Sequence, residues 1–388
     1  MRSKCVCHSI TFPVALFVMM ISCVKQQAGW KGSVVEDNGI TIVRNPLTPL
    51  NLGRLIALRE QVVLKEADES LVRRGLSRIR DFAVDTAGNV FLLTQLVEDD
   101  FVFKFDTSGR FIKSFVRKGQ GPGELQVAQR LQINARDELT LRDPSRNKLL
   151  VCDTDGRFLE EVSLSPDVRH ISRLPDGSYL ISRSISAPEA SGASSLAVVL
   201  CDARLNEIKE LSRYALSDKD FHDGRIEGRI DAFYWIVDED RIYVGTDNHG
   251  YEIRVFDLAG NLIRRIRKDY LSVPYPEQFK LSFQKAWKRL PQVNIDFPQY
   301  LPPFHTFFTD AEDRLFVQTF EPGKDPGTWI HDIFDAEGVF IGRQSLEIAW
   351  RGGSLGLYAH ALERNGRLYC LQAREGGFHA LVVYLMFT

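Results

Sequence analysis

Residues 85–112 open with Asp85-Thr-Ala-Gly-Asn-Val-Phe-Leu-Leu93 and close with Phe105-Asp-Thr-Ser-Gly-Arg-Phe-Ile112. Each half sets a turn against a short apolar strand. Asp and Asn start such turns by bonding their own backbone, and Gly supplies the position with φ > 0. The flanking residues alternate apolar and polar, the period of a half-buried strand.

Both signatures recur. The first returns as Pro175-Asp-Gly177 before Tyr179, Asp238-Glu-Asp240 before Ile242, Asp310-Ala-Glu-Asp313 before Leu315 and Asn365-Gly366 before Leu368, with Ala135-Arg-Asp137 a degraded copy. The second returns as Cys152-Asp-Thr-Asp-Gly156, Phe256-Asp-Leu-Ala-Gly260 and Phe334-Asp-Ala-Glu-Gly338, with Cys201-Asp202 through Asn206 a weaker relative. Two hairpin turns per unit make four strands, and the units recur every ~40 to 70 residues, the range of propeller blades with loop insertions. The first turn occurs six times and the second five. The chain stops at Ala380-Leu-Val-Val-Tyr384, a third strand without a fourth, while Ile40-Thr-Ile-Val-Arg44 is an orphan strand near the other end. The pattern therefore predicts an all-β six-bladed β-propeller of four-stranded antiparallel blades, with that N-terminal strand closing the last blade and protecting its edge.

Several stretches resemble the bacterial six-bladed propeller lipoproteins related to NHL-repeat proteins. They are Trp30-Lys-Gly32, Glu36-Asp-Asn-Gly39, Val43-Arg-Asn-Pro46, Lys118-Gly-Gln-Gly-Pro-Gly-Glu124, Tyr251-Glu-Ile-Arg-Val-Phe-Asp257 and Pro303-Phe-His-Thr-Phe-Phe308. The resemblance spans the chain after its leader and implies the fold. It assigns no chemistry, because one fold hosts many functions.

Arg2 and Lys4 precede a mostly apolar run from Ile10 to Ile21, too short to span a bilayer comfortably and read as a signal peptide over residues 1–22. Ser22-Cys23 resembles the lipobox of bacterial lipoproteins, which implies acylation of Cys23. Met20 stands where that motif has Leu, and ordinary cleavage near Ala28-Gly29 is the alternative. Residues 23–388 are then a single propeller domain on the cell envelope, membrane-attached through lipid only and expected to be monomeric. Removing residues 1–22 takes away two basic and no acidic residues, which moves the net charge from −2 to −4. With no basic tract left, nucleic acid is excluded as a partner class. Cys152, Cys201 and Cys370 have no framework spacing and are read as buried small hydrophobes on strands.

Three stretches exceed what a blade needs. Ser184–Ser195 reads as a flexible loop within blade three, residues 213–229 as a charged link, and residues 270–302 as an insertion. In the insertion, Pro276-Glu277 starts a helix carrying Phe279, Phe283, Trp287 and Leu290, placed across a face or the rim of the ring.

Propeller ligands sit at the channel mouth, where the innermost strands begin. Alignment on the first turn places Arg80 with Asp81, Gln129 with Arg130, Arg169 with His170, Ala232 with Phe233, His305 with Thr306, and Tyr358 with His360 at that mouth. The candidate ligand residues are Arg80, Arg130, Arg169, His170, His305, Tyr358 and His360, a polar set tilted towards positive charge and suited to an anionic or polyhydroxyl ligand. A solvated channel lining with structural Arg–Asp pairs is the competing reading. His170, His305 and His360 come from three blades and could meet on a divalent metal, but their register differs and no carboxylate is placed as a base. Gly119-Gln-Gly-Pro-Gly-Glu124 lacks the ending of a phosphate loop and reads as an inter-blade turn. No G-x-S-x-G, HExxH or paired CxxC occurs. A non-catalytic binding propeller without a cofactor is the expectation, its ligand a small molecule, a glycan or an envelope protein. A lactonase-like or amidating-lyase-like enzyme is the alternative.

Overall fold

The structure is a computed structural model that describes residues 29–66, 68–95, 99–186, 194–215, 225–228, 233–238, 240–287, 294–325, 328–346, 361–373 and 379–387, apart from a few single residues and breaks between these ranges. In chain order it begins with β1 (Ser33–Asp37), β2 (Ile40–Asn45), β3 (Ala57–Lys65) and the one-turn helix α1 (Glu69–Val72). Blade I follows as β4 (Arg78–Val84), β5 (Val90–Gln95), β6 (Asp100–Phe105) and β7 (Phe111–Arg117). Blade II is β8 (Gln129–Ile133), β9 (Glu138–Asp143), β10 (Lys148–Asp153) and β11 (Phe158–Ser163). Blade III is β12 (Val168–Arg173), β13 (Tyr179–Ile185), β14 (Ser195–Cys201) and β15 (Glu207–Ala215). After β16 (Arg225–Glu227), blade IV is β17 (Phe233–Asp238), β18 (Arg241–Thr246), β19 (Glu252–Asp257) and β20 (Leu262–Lys268). Next come α2 (Glu277–Trp287) and β21 (Asn294–Asp296). Blade V is then β22 (Thr306–Thr309), β23 (Leu315–Pro322), β24 (Trp329–Phe334) and β25 (Phe340–Leu346). Blade VI uses β26 (Ala361–Arg364), β27 (Arg367–Ala373) and β28 (His379–Phe387), with β3 as its fourth strand. Six antiparallel blades result, as the turn count predicts.

The outer turns show why. Asp106, Asp153, Asp202 and Asp335 each accept backbone N–H bonds from the residues two and four positions on, at 2.8–3.0 Å. In the second-turn copies that end in Gly, the glycine is left-handed, at φ 77–84°. Each of these glycines also touches the blade before it. A Cβ on Gly109 would lie 2.6 Å from Val62 Cγ1 of β3, one on Gly156 2.5 Å from the Phe115 ring of β7, one on Gly260 2.9 Å from Leu211 of β15, and one on Gly338 2.8 Å from Ile266 of β20. Local conformation and blade-to-blade contact thus demand the same residue. Blade III has Leu205 instead, at φ 64°, and its side chain packs against the cluster containing Leu149 and Val162 of blade II.

One expectation needs correction. The N-terminal strand that closes the last blade is Ala57–Lys65, which pairs antiparallel with β28, Val62 opposite Val383 and Leu64 opposite Leu381. Ile40–Asn45 lies elsewhere: it runs parallel to β20 of blade IV, Ile42 opposite Arg265, and carries β1 on its far side. Its apolar residues are strongly patterned because they pack with Trp30 and Val339 at the rim of blades IV and V. Asn45 fastens it there. Its amide donates to Arg267 O (3.1 Å) and Gly338 O (2.9 Å) and its oxygen accepts from Phe340 N (2.7 Å), all in a buried setting.

Cys152, Cys201 and Cys370 are buried and unbonded, as the strand reading expects. Burial pushes the Cys152 thiol up to about 12 and Cys201 up to about 11. The long inserts meet each other. β16, from the link between blades III and IV, pairs parallel with β21 of the 270–302 insertion. Tyr275 donates to Gly228 O at 2.7 Å, and Tyr275, Leu301 and Phe320 form a core joined by Phe279 and Phe297. The predicted helix is α2, from Glu277 to Trp287, with Phe283 buried; Leu290 and residues 187–193 of the blade III loop lie outside the described residues.

Gly109→Ala adds a left-handed alanine and an overlap with Val62, and should cost about 2–4 kcal/mol in urea unfolding. Gly39→Ala, at φ 79° with nothing within 4 Å, should cost only ~1 kcal/mol. Equal costs would refute the seam. Asn45→Ala leaves a buried N–H and two carbonyls without their partner and should lose about 2–4 kcal/mol.

Candidate functional site

The six inner strands ring the channel, and the long inter-blade links enter at their N-terminal ends. In blades I, II and III the inner strand is irregular at the same place. The register slips between Ile79 and Asp81, between Gln129 and Leu131, and between Val168 and His170. The residue left over in each slip is an arginine: Arg80, Arg130 and Arg169. Bulges of this kind re-aim a side chain and gather beside functional sites. Arg130 is held at φ 59°, a conformation that costs a non-glycine residue ~1–2 kcal/mol.

Neighbouring strands hold these bulges. Asp81 is buried and spends both oxygens on backbone, one accepting from Phe82 N at 3.0 Å and the other from Leu131 N at 3.1 Å across to blade II. Arg142 of β9 donates to Arg169 O (2.8 Å) and Val168 O (2.6 Å), bracing the blade III bulge. Arg169 is exposed and its Nε donates to Ser184 Oγ at 2.6 Å. His170 meets Ser182 Oγ through Nδ1 at 3.1 Å and Arg130 Nη2 through Nε2 at 3.4 Å. An arginine only donates, so Nε2 accepts and Nδ1 carries the proton.

The electrostatics are one-sided. Burial, then Arg130, Arg142 and Arg169, drive His170 down to about 3, so its ring is neutral at pH 7. Burial and Arg169 likewise lower Arg142. No carboxylate takes part in either shift.

Across the channel, burial raises the Tyr234 phenol, which bonds Thr306 and feels the charges of Arg130 and Asp81. Inner strands from blades I, II, IV and V therefore converge. Tyr234 also stands edge-on to Phe307, with centroids 5.1 Å apart.

Of the sequence candidates, Arg80, Arg130, Arg169 and His170 stand on adjoining inner strands. His305 is set apart in blade V, its ring edge-on to Phe320 at 5.4 Å beneath the insertion core. Tyr358, His360, Ala232 and Cys23 lie outside the described residues. Among the described residues no three His, Cys, Asp or Glu side chains come together as a metal set. His170 also has both ring nitrogens engaged. Sequence reasoning missed Arg142 and Tyr234. Arg142 sits on a second strand, where only its place at the end of Leu139-Thr-Leu141 hinted at an inward charge.

A family model described as a 6-bladed beta-propeller matches residues 62–222. No curated protein sequence matches the chain. Among solved structures, a Bacteroides fragilis protein named as exported aligns over 89% of this chain and 100% of its own, at 14% identity and a TM-score of 0.50. A gluconolactonase from Xanthomonas campestris covers 84% of this chain and 97% of its own, at 12% identity and a TM-score of 0.40. Virginiamycin B lyase from Staphylococcus aureus covers 84% and 99%, at 11% identity and a TM-score of 0.41. At these identities the likeness concerns the fold alone. With its blades, its closing strand and its matched segment in agreement, the chain is a six-bladed β-propeller whose residues 62–222 carry the sequence pattern of that family.

Proposed function

We propose that this protein is a non-catalytic recognition propeller of the bacterial cell envelope. It is exported by the signal at residues 1–22, tethered through lipid on Cys23, and binds a small soluble ligand at the channel mouth. The observation that carries the reading is the coincidence of three inner-strand bulges, each exposing an arginine at the same end of the channel. A bulge disrupts its ladder, and three in register at one mouth are what a shaped site requires. The exported Bacteroides fragilis relative supports the compartment. The insertion core of Tyr275, Leu301 and Phe320 adds a wall on blade V, near His305.

A hydrolase or lyase reading would need a cation or a base at the same mouth. His170 instead accepts from Arg130, and Asp81 is committed to backbone amides. Binding is therefore the reading the geometry favours.

The test uses the full-length protein extracted from membranes. Mass spectrometry should find a diacylated Cys23 as the mature N-terminus, and a screen of envelope metabolites should find one that raises the melting temperature of the wild type but not of Arg130→Gln. A divalent metal present at one per chain and lost in His170→Ala would overturn the non-catalytic reading.

A further inference from the structure

The mouth has a definite chemical preference, and it follows from which groups are spent and which remain. Asp81, the carboxylate that links blades I and II beside Arg130, has both oxygens committed to Phe82 N and Leu131 N. His170 has its lone pair on Arg130 and its proton on Ser182. Arg142 has its terminal nitrogens on two backbone carbonyls. Arg169 is exposed, with Ser184 taking its Nε. What these blades offer a ligand is therefore guanidinium, with little acceptor capacity beside it.

A neutral polyhydroxyl ligand needs donors and acceptors interleaved, because each hydroxyl gives one hydrogen and takes others. An oxyanion needs donors alone, and the planar guanidinium fork matches a carboxylate or phosphate edge with two parallel bonds. The assembly is also costly in the absence of negative charge. Three arginines act on His170, two of them on bulges, and one bulge is left-handed. Strain and like-charge crowding of this sort persist where a ligand or a mechanism uses them.

We propose that Arg130 and Arg169, extended towards blade I by Arg80, form an oxyanion cradle for a small organic acid bearing a carboxylate or phosphate. Arg142 and His170 act behind them as positioning residues. Arg142 braces the Arg169 bulge through its carbonyls, and neutral His170 gives Arg130 an acceptor without adding a titrating charge. The groups facing the imidazole are Arg130 of β8, Arg142 of β9, Arg169 of β12 and Ser182 of β13. This rests on the ligand-binding reading above and narrows it to one class of ligand.

The test is isothermal titration of the full-length protein with citrate, glucose 6-phosphate and glucose, at low and moderate salt and from pH 5.5 to 8. Citrate or glucose 6-phosphate should bind and glucose should not. The preference between the two acids identifies the oxyanion as carboxylate or phosphate. Binding should weaken with salt, as screened charge pairs do. Arg169→Gln and Arg130→Gln should each lower affinity at least ~10-fold, the loss expected when one charge-assisted partner is removed. The exposed Arg169 should be replaced with no change in melting temperature. Affinity should be flat across the pH range, since His170, driven down to about 3, stays neutral throughout. His170→Leu should weaken binding, with partial rescue by His170→Gln, which restores an acceptor. Glucose binding as tightly as glucose 6-phosphate, acid binding unchanged in both arginine variants, or no acid binding at millimolar concentration would each overturn the cradle. A neutral metabolite that protects the mouth residues from chemical labelling would overturn the cradle alone and leave the wider binding function standing.

Discussion

Each blade leans on the one before it through the tip of its outer turn, and the rest of the ring takes its geometry from that contact. The Asp that opens the turn fixes its shape, the Gly that ends it takes a positive φ, and the missing Cβ lets the preceding outer strand come close. Gly109 against Val62 is this contact at the point where the chain's two ends meet, so the last seam is built like the others. Leu205 is the exception that shows the constraint, since there a side chain fills the seam at the expense of its own backbone. With the outer edges set, the inner strands are held in a narrow ring and small irregularities in them acquire consequences.

Those irregularities divide the channel. Blades I to III present arginines from slipped registers, while blades IV and V answer with Tyr234, Thr306 and Phe307. One wall is cationic and the other mainly aromatic. An elongated acid with a charged head and an apolar or ring-shaped body would find both halves of its chemistry there.

The turns were legible in the sequence because their signals are local: an Asp and a Gly four residues apart say what the backbone does without help from distant residues. The count of six followed. The identity of the closing strand did not, since alternation reports that a segment is extended and not which edge it joins. Ile40–Asn45 looked like the better strand because it is sandwiched between β1 and β20. Ala57–Lys65 is an outer strand with Arg59, Glu60 and Gln61 facing solvent, and its pattern is diluted accordingly. The arginines at 80, 130 and 169 could be aligned from sequence, yet their bulges could not, because a slip is a property of two strands together. Arg142 and Tyr234 were beyond reach for the same reason.

The closing strand comes early in the chain and its partner is the last strand of all. A polypeptide that emerges amino end first must therefore keep β3 waiting while every blade but the sixth is completed. The entropy of so long a loop rises only slowly with length, so the delay is kinetic more than energetic. During it, the open side of β28 is an unsatisfied row of backbone donors and acceptors. Two unfinished rings that met then could exchange β3 and close on each other, which makes crowding at the moment of emergence the hazard built into this topology.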